Sequence, residues 1–398
     1  MKTDKKKEGK KKTRYLSPSF RKGSGVKEKI EKNDSDDGDF KINLIEVNDD
    51  EDESKSPSPP KKKGYKRKSE SKYINIIPVK DSQNTDSSKD LPDKKIKVNA
   101  LKDGHLKNVG SLSQAGKGED GFTKVNQDSY LVVQTEYNLK DFNIFCVLDG
   151  HGVNGHLVSR YVMKYINMFF KNNKKMNSSN NNEDAVYYRL KKGEHSIIKR
   201  LFRHAERDLD KKSDIDATFS GTTCVMLLQI GEKLLCSNIG DSRAIMVKGD
   251  NVIIPLSIDQ KPDDPEESKR IIQAGGEISQ YEKDGEKSGP YRVWKKGEVY
   301  PGIAMSRSIG DFVATTLGVI PEPKFIEEKI DNDTKFIVLA SDGVWEFLDN
   351  KRVAEIVMPF YKTNDPEGAC RALIRESTDW WNKEDIVVDD ITAVVVFF

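Results

Sequence analysis

Two apolar runs in this chain stop abruptly at an acid followed by glycine. Phe145-Cys146-Val147-Leu148 ends in Asp149-Gly150-His151-Gly152, and Phe336-Ile337-Val338-Leu339-Ala340 ends in Ser341-Asp342-Gly343. Runs of this length and β-branched content read as buried strands, which places each carboxylate at the mouth of a strand on a rigid backbone. One strand-end acid is common; two suggest a site. Further acids precede strands in the same way: the pair Asp389-Asp390 directly before Ile391 to Phe398, and Asp128 in Lys124-Val125-Asn126-Gln127-Asp128 ahead of the run from Tyr130. A fold that brings these strand edges together gathers carboxylates from distant parts of the chain.

Carboxylates gathered in this way suit hard cations such as Mg²⁺ or Mn²⁺, and the five histidines are too scattered to favour zinc. One carboxylate can bridge two such ions about 3.5–4 Å apart. Gly150 lets the backbone come close enough for its carbonyl to serve as a ligand. Two divalent ions would attract a phosphate and turn a bound water into hydroxide near neutral pH. His151, beside Asp149, is placed to act as an acid for a leaving group. Taken alone, Asp149-Gly150-His151-Gly152 reads equally well as a tight turn; the other acids tip the balance.

The rest of the chain divides into two textures. Residues 1–100 are rich in Lys, Asp, Ser and Pro, with an acidic run from Asn48 to Glu53, Ser-Pro pairs at Ser56 and Ser58, and a basic cluster from Lys61 to Lys68. Such a segment has too little apolar surface to offset chain entropy and is expected to be a disordered, charged tail. The basic cluster reads either as solvated tail or as a nuclear-import or acidic-partner patch. From residue 101 to 398 we expect one catalytic domain of short strands punctuated by turns, with helical patterns at His156–Phe170, Ile197–Leu209, Pro265–Ala274, Lys351–Tyr361 and Pro366–Asn382. Strands and helices come in groups rather than in βαβ alternation, so the class is α+β with antiparallel sheets covered by helices. Residues 171–184 (KNNKKMNSSNNNED) read as a low-complexity surface insertion.

The net charge of +2 gives no global nucleic-acid footprint. Cys146, Cys224 and Cys236 lie in apolar runs and no C-x-x-C pair occurs, so reduced, buried thiols of an intracellular protein in the cytoplasm or nucleus are expected. A lysine-rich start and the absence of a long apolar span disfavour secretion, myristoyl anchoring and a transmembrane helix.

The motifs, taken in order, resemble the metal-dependent protein phosphatases of the 2C type. They are KVNQD (124–128), VLDGHG (147–152), SGTT (220–223), IGDSRA (239–244), DQKPDDPEESKRIIQAGG (259–276), AMSRSIGD (304–311), ASDGVWE (340–346) and DDITAVVV (389–396). The resemblance implies a four-layer αββα sandwich with a metal cleft at one end. The implied activity is hydrolysis of phosphoserine and phosphothreonine in phosphoprotein substrates by a hydroxide bridging two Mg²⁺ or Mn²⁺ ions. It further implies that Asp149 bridges both metals, that Gly150 offers its carbonyl to one, and that Asp342 and Asp389 bind the other. Asp390 stands where the family often has Asn. Asp128 would act through water, Asp241, Asp342 and Glu346 would form a weaker third metal site, and His151 would protonate the leaving alkoxide. Asp311 falls close to the cleft, with a catalytic or a structural role. Gln127 replaces a metal-binding Glu and implies weaker coordination. The family's phosphate-gripping Arg has no exact counterpart, Lys124 lying one position nearer Asp128, so Lys124 is the candidate phosphate contact. Residues 281–302 correspond to the family's variable flap, where Trp294 either tunes substrate choice or anchors the flap; Trp380 and Trp381 read as core support. Two other functions compete: an inert relative that binds a partner, for which only Gln127 speaks, and a tail that makes the chain a nucleic-acid or membrane-surface binder. A monomer is expected.

Overall fold

The computed structural model describes residues 108–134, 142–172, 186–283 and 285–398. The expected tail of residues 1–100, its basic cluster, and the insertion from residue 173 onward lie outside the described residues. The first elements are β1 (Asn108–Gln114), β2 (Ser129–Val133), β3 (Phe142–Leu148), β4 (Gly150–His151), α1 (Gly155–Asn172), α2 (Val186–Lys191) and α3 (Ser196–Asp210). Then come β5 (Gly221–Thr222), β6 (Cys224–Ile230), β7 (Lys233–Ile239), β8 (Arg243–Lys248), β9 (Val252–Pro255) and α4 (Pro265–Gln273). The chain continues through β10 (Gly276–Lys283), β11 (Glu286–Lys295), β12 (Pro301–Ile303), β13 (Ile309–Gly310) and α5 (Phe312–Thr315). It closes with β14 (Lys324–Lys329), β15 (Thr334–Ala340), α6 (Asp342–Trp345), α7 (Asn350–Thr363), α8 (Pro366–Glu384) and β16 (Ile391–Phe397).

Two five-stranded antiparallel sheets carry the fold, in the orders β1-β16-β15-β8-β9 and β14-β7-β6-β3-β2. The central strands of both are apolar on both faces because each face is covered. Phe145, Val147, Val225 and Leu227 of one sheet meet Met246, Ile337, Leu339, Val394 and Val396 of the other in a shared core. The alternate residues of the first sheet, Val338, Ala340, Ala393, Val395 and Phe397, pack under α7 and α8 through Val353, Val357, Ala369 and Leu373. Behind the second sheet, α1 buries Val158, Val162, Ile166 and Phe170, four residues apart along one helical stripe, and the Phe170 ring lies 5.5 Å from that of Phe142. Each such fully buried side chain contributes roughly 1.5–3 kcal/mol. The expected αββα layering of antiparallel sheets is the observed one.

Local chemistry sets the helix ends. Asp264 accepts a hydrogen bond from the Glu266 amide ahead of Pro265 in α4, and Asp349 accepts one from Arg352 at the start of α7. The flap expected at 281–302 starts earlier. Strands β10, β11 and β12 form a three-stranded sheet running from Gly276 to Ile303. Trp294 anchors it: the indole N–H donates to Ser279 O at 3.0 Å, and a Cβ on Gly302 would lie 2.7 Å from the ring. Among the described residues, no helix is long and apolar enough to cross a membrane.

Candidate active site

The end of β3 is clamped from the neighbouring strand. The Asp149 N–H donates to Thr223 Oγ1 at 3.0 Å, while Asp149 O accepts from Thr222 Oγ1 at 3.1 Å and from the Thr223 N–H at 2.9 Å. Gly150 then passes between two other backbones, where a Cβ would lie 2.4 Å from Gly155 O and 2.5 Å from Gln127 O. No other residue fits there. Asp342 opens α6 after β15, and its turn is braced from behind by the Trp381 indole, whose N–H donates to Gly343 O at 2.8 Å. Ser341, just before it, donates to Asp128 Oδ2 at 2.7 Å, tying the acid of the KVNQD stretch to the end of β15.

The pair Asp389-Asp390 splits its duties. Asp390 is buried and takes two backbone N–H groups, from Gly116 at 2.7 Å and Gln127 at 2.9 Å. Its oxygens are committed to the scaffold. Asp389 is half-exposed, and beyond the Asp390 N–H it meets the Lys124 ammonium at 2.5 Å.

The carboxyls so placed disturb one another. Burial, then Asp342, Asp128 and Asp389, raise Asp149 far above the usual carboxylate range, and burial, then Asp389 and Asp241, raise Asp342. Asp128 is raised by burial and Asp390. Buried oxygens Oδ1 of Asp128, Asp241 and Asp342 have no hydrogen-bond partner among the described residues. Like-charged, desolvated carboxyls with unpartnered oxygens match the donor chemistry of a hard divalent cation. In the protein alone, Lys124 on Asp389 and Lys261 on Asp241, each at 2.5 Å, supply part of the missing positive charge. Burial pulls the Lys124 ammonium down, but Asp389 and Asp390 hold it above its ordinary value. Among the described residues, no three His, Cys, Asp or Glu side chains form a ready-made cage.

His151 lies on a miniature sheet. It is opposite Gly221 in β5, which is in turn opposite Gly310 in β13. Its Nε2 contacts Asp311 Oδ2 at 2.6 Å, and its buried Nδ1 has no partner among the described residues. Burial lowers the imidazole, but Asp311, with Asp241 and Asp342 adding to it, offsets that and the net shift is upward. Behind Asp311, Glu206 of α3 is buried with Oε2 unpartnered among the described residues, and burial, Asp311 and Asp210 push its carboxyl up to about 8.

The structure therefore brings together Asp149, Asp342, Asp128, Asp389 and Asp241 with Lys124, and sets His151 beside Asp149. Glu346 is exposed rather than buried with them. Gln127 is turned to another use, its Nε2 donating to Gly152 O at 2.6 Å. Sequence reasoning passes over Lys261, although it stands in the DQKPDD stretch, and over Thr223 and Glu206. Nothing in the local sequence marks Glu206.

The family model described as Protein phosphatase 2C matches residues 115–385. Probable protein phosphatase 2C 35 of Arabidopsis thaliana is 32% identical over 303 residues, covering 72% of this chain and 82% of that protein. Probable protein phosphatase 2C 34 of the same plant is 31% identical over 292 residues, covering 71% and 78%. Among solved structures, a serine-threonine phosphatase 2C from Toxoplasma gondii superposes with a TM-score of 0.61 at 19% identity, covering 73% of this chain and 94% of that one. A sex determining protein of C. elegans gives 0.55 at 18%, covering 75% and 66%. At those identities the superpositions speak for the fold alone.

The chain belongs to the protein phosphatase 2C family. It is a metal-dependent protein serine/threonine phosphatase.

Proposed function

We propose that the carboxyl cluster is a two-metal centre and that phosphoserine and phosphothreonine are cleaved there without a covalent phosphoenzyme. The observation that carries this reading is the crowding of Asp149, Asp342 and Asp128 as mutually repelling carboxyls, Asp128 buried and the other two partly so, with unpartnered oxygens on Asp128, Asp241 and Asp342 among the described residues. Asp149, the Gly150 carbonyl, Asp342 and Asp389 would hold the ions. Asp128 would act through water, Gln127 only weakly because its amide oxygen carries no charge, and Asp241 with Glu346 would hold a weaker third ion. Two Mg²⁺ or Mn²⁺ ions, when bound, supply a hydroxide nucleophile at neutral pH and charge to offset the phosphoryl oxygens.

The protein's own side chains do the rest. Lys124, already beside Asp389, offers its ammonium to a phosphate oxygen, as a point charge rather than a fork. His151 donates a proton to the departing alkoxide. Phosphoproteins are the substrates. We place the enzyme in a reducing intracellular compartment, cytoplasm or nucleus, as a monomer; four free, buried cysteines support the compartment. The test is turnover of a phosphothreonine peptide. Chelation should abolish it, added Mn²⁺ or Mg²⁺ should restore it, and Asp342→Ala should not be restored. Undiminished turnover in chelator, or in Asp342→Ala, overturns the reading.

A further inference from the structure

The contact between His151 and Asp311 joins residues 160 positions apart, and several features of the local backbone exist to allow it. Across the miniature sheet, His151, Gly221 and Gly310 stand in one row. Asp311 follows at once, in the left-handed region with φ 49° and ψ 50°, a conformation that is strained for most residues other than glycine. Its N–H is held by Ser220 O at 2.9 Å. A Cβ on Gly221 would lie 2.0 Å from Asp311 Oδ2, so only glycine admits the carboxylate between the strands. That same oxygen meets His151 Nε2 and accepts from Ser308 Oγ, both at 2.6 Å, and the residue is 4% exposed. A strained backbone, a cleared path and a second anchor all aim one carboxylate oxygen at one ring nitrogen.

With Nε2–H committed to Asp311, the free face of the ring is Nδ1, buried and unpartnered among the described residues. We propose that Asp311, anchored by Ser308 and admitted by Gly221, is the positioning residue that fixes His151 so that Nδ1 is the atom that protonates the leaving serine or threonine oxygen. This rests on the reading of His151 as the acid. As hydroxide forms its bond to phosphorus, the bond from phosphorus to the substrate oxygen breaks with its electron pair on that oxygen. The Nδ1 proton goes to it. The ring is left neutral with Nε2–H still on Asp311, and water returns the proton.

The test uses the full chain with Mn²⁺ and two substrates of different leaving group, a phosphothreonine peptide and p-nitrophenyl phosphate. Asn tolerates the left-handed region, so Asp311→Asn removes the charge and leaves the backbone conformation accessible. It should lower kcat on the peptide about 10- to 100-fold with little change in KM, and on p-nitrophenyl phosphate less than about threefold, because nitrophenolate leaves without a proton. Ser308→Ala should show the same split at smaller size, and it carries the test if Asp311→Asn does not fold. His151→Gln should split the substrates as well, and the double variant should be no worse than His151→Gln. Nitrogen-15 histidine spectra supply a readout independent of turnover: a hydrogen-bonded Nε2–H on His151 in the wild type, lost in Asp311→Asn. Equal loss on both substrates in Asp311→Asn, or a wild-type His151 with Nε2 bare, overturns the proposal. If His151→Gln splits the substrates and Asp311→Asn does not, positioning alone fails. If His151→Gln does not split them, the acid role fails and the proposal with it.

Discussion

Two groups of buried acid in this protein have opposite surroundings. Glu267 of α4 is fully buried and fully paired. Arg307 meets it with Nε on Oε2 at 2.9 Å and Nη2 on Oε1 at 2.7 Å, Ser306 Oγ donates at 2.9 Å, and Arg270 and Lys324 stand at 2.8 and 3.2 Å. Burial alone would raise its carboxyl, but the two arginines hold it well below the usual range. The cluster around Asp149 is paired only in part, by Lys124 on Asp389 and Lys261 on Asp241. There the neighbours are mostly other acids, the shifts run upward, and oxygens on Asp128, Asp241 and Asp342 lack partners among the described residues. A paired buried acid stiffens the fold, here linking α4 to the 306–307 turn and β14. Unpaired acids held together against their repulsion are tolerated because something else neutralises them in use.

The contrast breaks most sharply at Asp149. Asp149→Asn should cut turnover of a phosphothreonine peptide by about 10²–10³-fold or more, the scale of losing one strongly engaged charge in a catalytic centre. In chelator its melting temperature should stay level or rise, since one repelling charge is gone. A fall in both would make Asp149 a structural acid like Glu267.

The reverse is expected of Glu267→Gln. Removing one partner of a buried pair leaves two arginines uncompensated, and the loss should be about 3–5 kcal/mol, read by urea unfolding. Turnover per folded molecule should stay near wild type. A stability change within about 0.5 kcal/mol would sink the claim that this network stiffens the fold.

Glu206 lies between the two cases, buried and with Oε2 unpartnered among the described residues, but outside the cleft. Its carboxyl is pushed up to about 8, against an ordinary value of 4.5. Between those values the folded protein holds a proton that the unfolded chain releases, so stability declines as pH rises from about 4.5 to 8 and then levels. Glu206→Gln escapes that loss. It should match the wild type near pH 4 and exceed it by a few kcal/mol near pH 8, the advantage growing by about 1.4 kcal/mol for each pH step of one through that window. A variant whose advantage does not grow with pH removes Glu206 from this class.

The sequence makes one side of the comparison far more legible than the other. Strands β3, β15 and β16 are largely apolar and lie beside acids, so Asp149, Asp342 and Asp389 can be placed at strand mouths without coordinates. Strands β1 (NVGSLSQ), β14 (KFIEEK) and the β10–β11 hairpin carry no such mark, because β1 and β14 lie at sheet edges and the hairpin is charged and largely exposed. The pairing of Glu267 with Arg307, 40 positions apart, and of His151 with Asp311 depends on chain crossings that no local pattern encodes. For the same reason the ammonium groups over Asp389 and Asp241 become visible only in the folded chain. They change how Lys124 is understood. As a sequence feature it is a candidate phosphate contact; in the fold it is first the counter-ion of a proposed metal ligand.

The smallest effect is expected at Trp381, which joins scaffold to site. Its indole N–H bonds Gly343 O directly behind Asp342, and its ring meets Phe347 edge-on at 4.8 Å. Trp381→Phe keeps an aromatic ring and deletes the donor, leaving a backbone carbonyl short of one hydrogen bond. The stability cost should be about 1 kcal/mol. If the Asp342 turn is held rigid by that bond, Mn²⁺ affinity should fall about 10-fold as well, the lower end of what losing an outer-shell partner costs a metal site. Calorimetric titration of Mn²⁺ separates the two. A stability loss with unchanged affinity would mean that the turn is set by Gly343 alone, whose Cβ would lie 2.1 Å from Asp390 O, and that the rigidity of the carboxyl cluster owes nothing to the helix behind it.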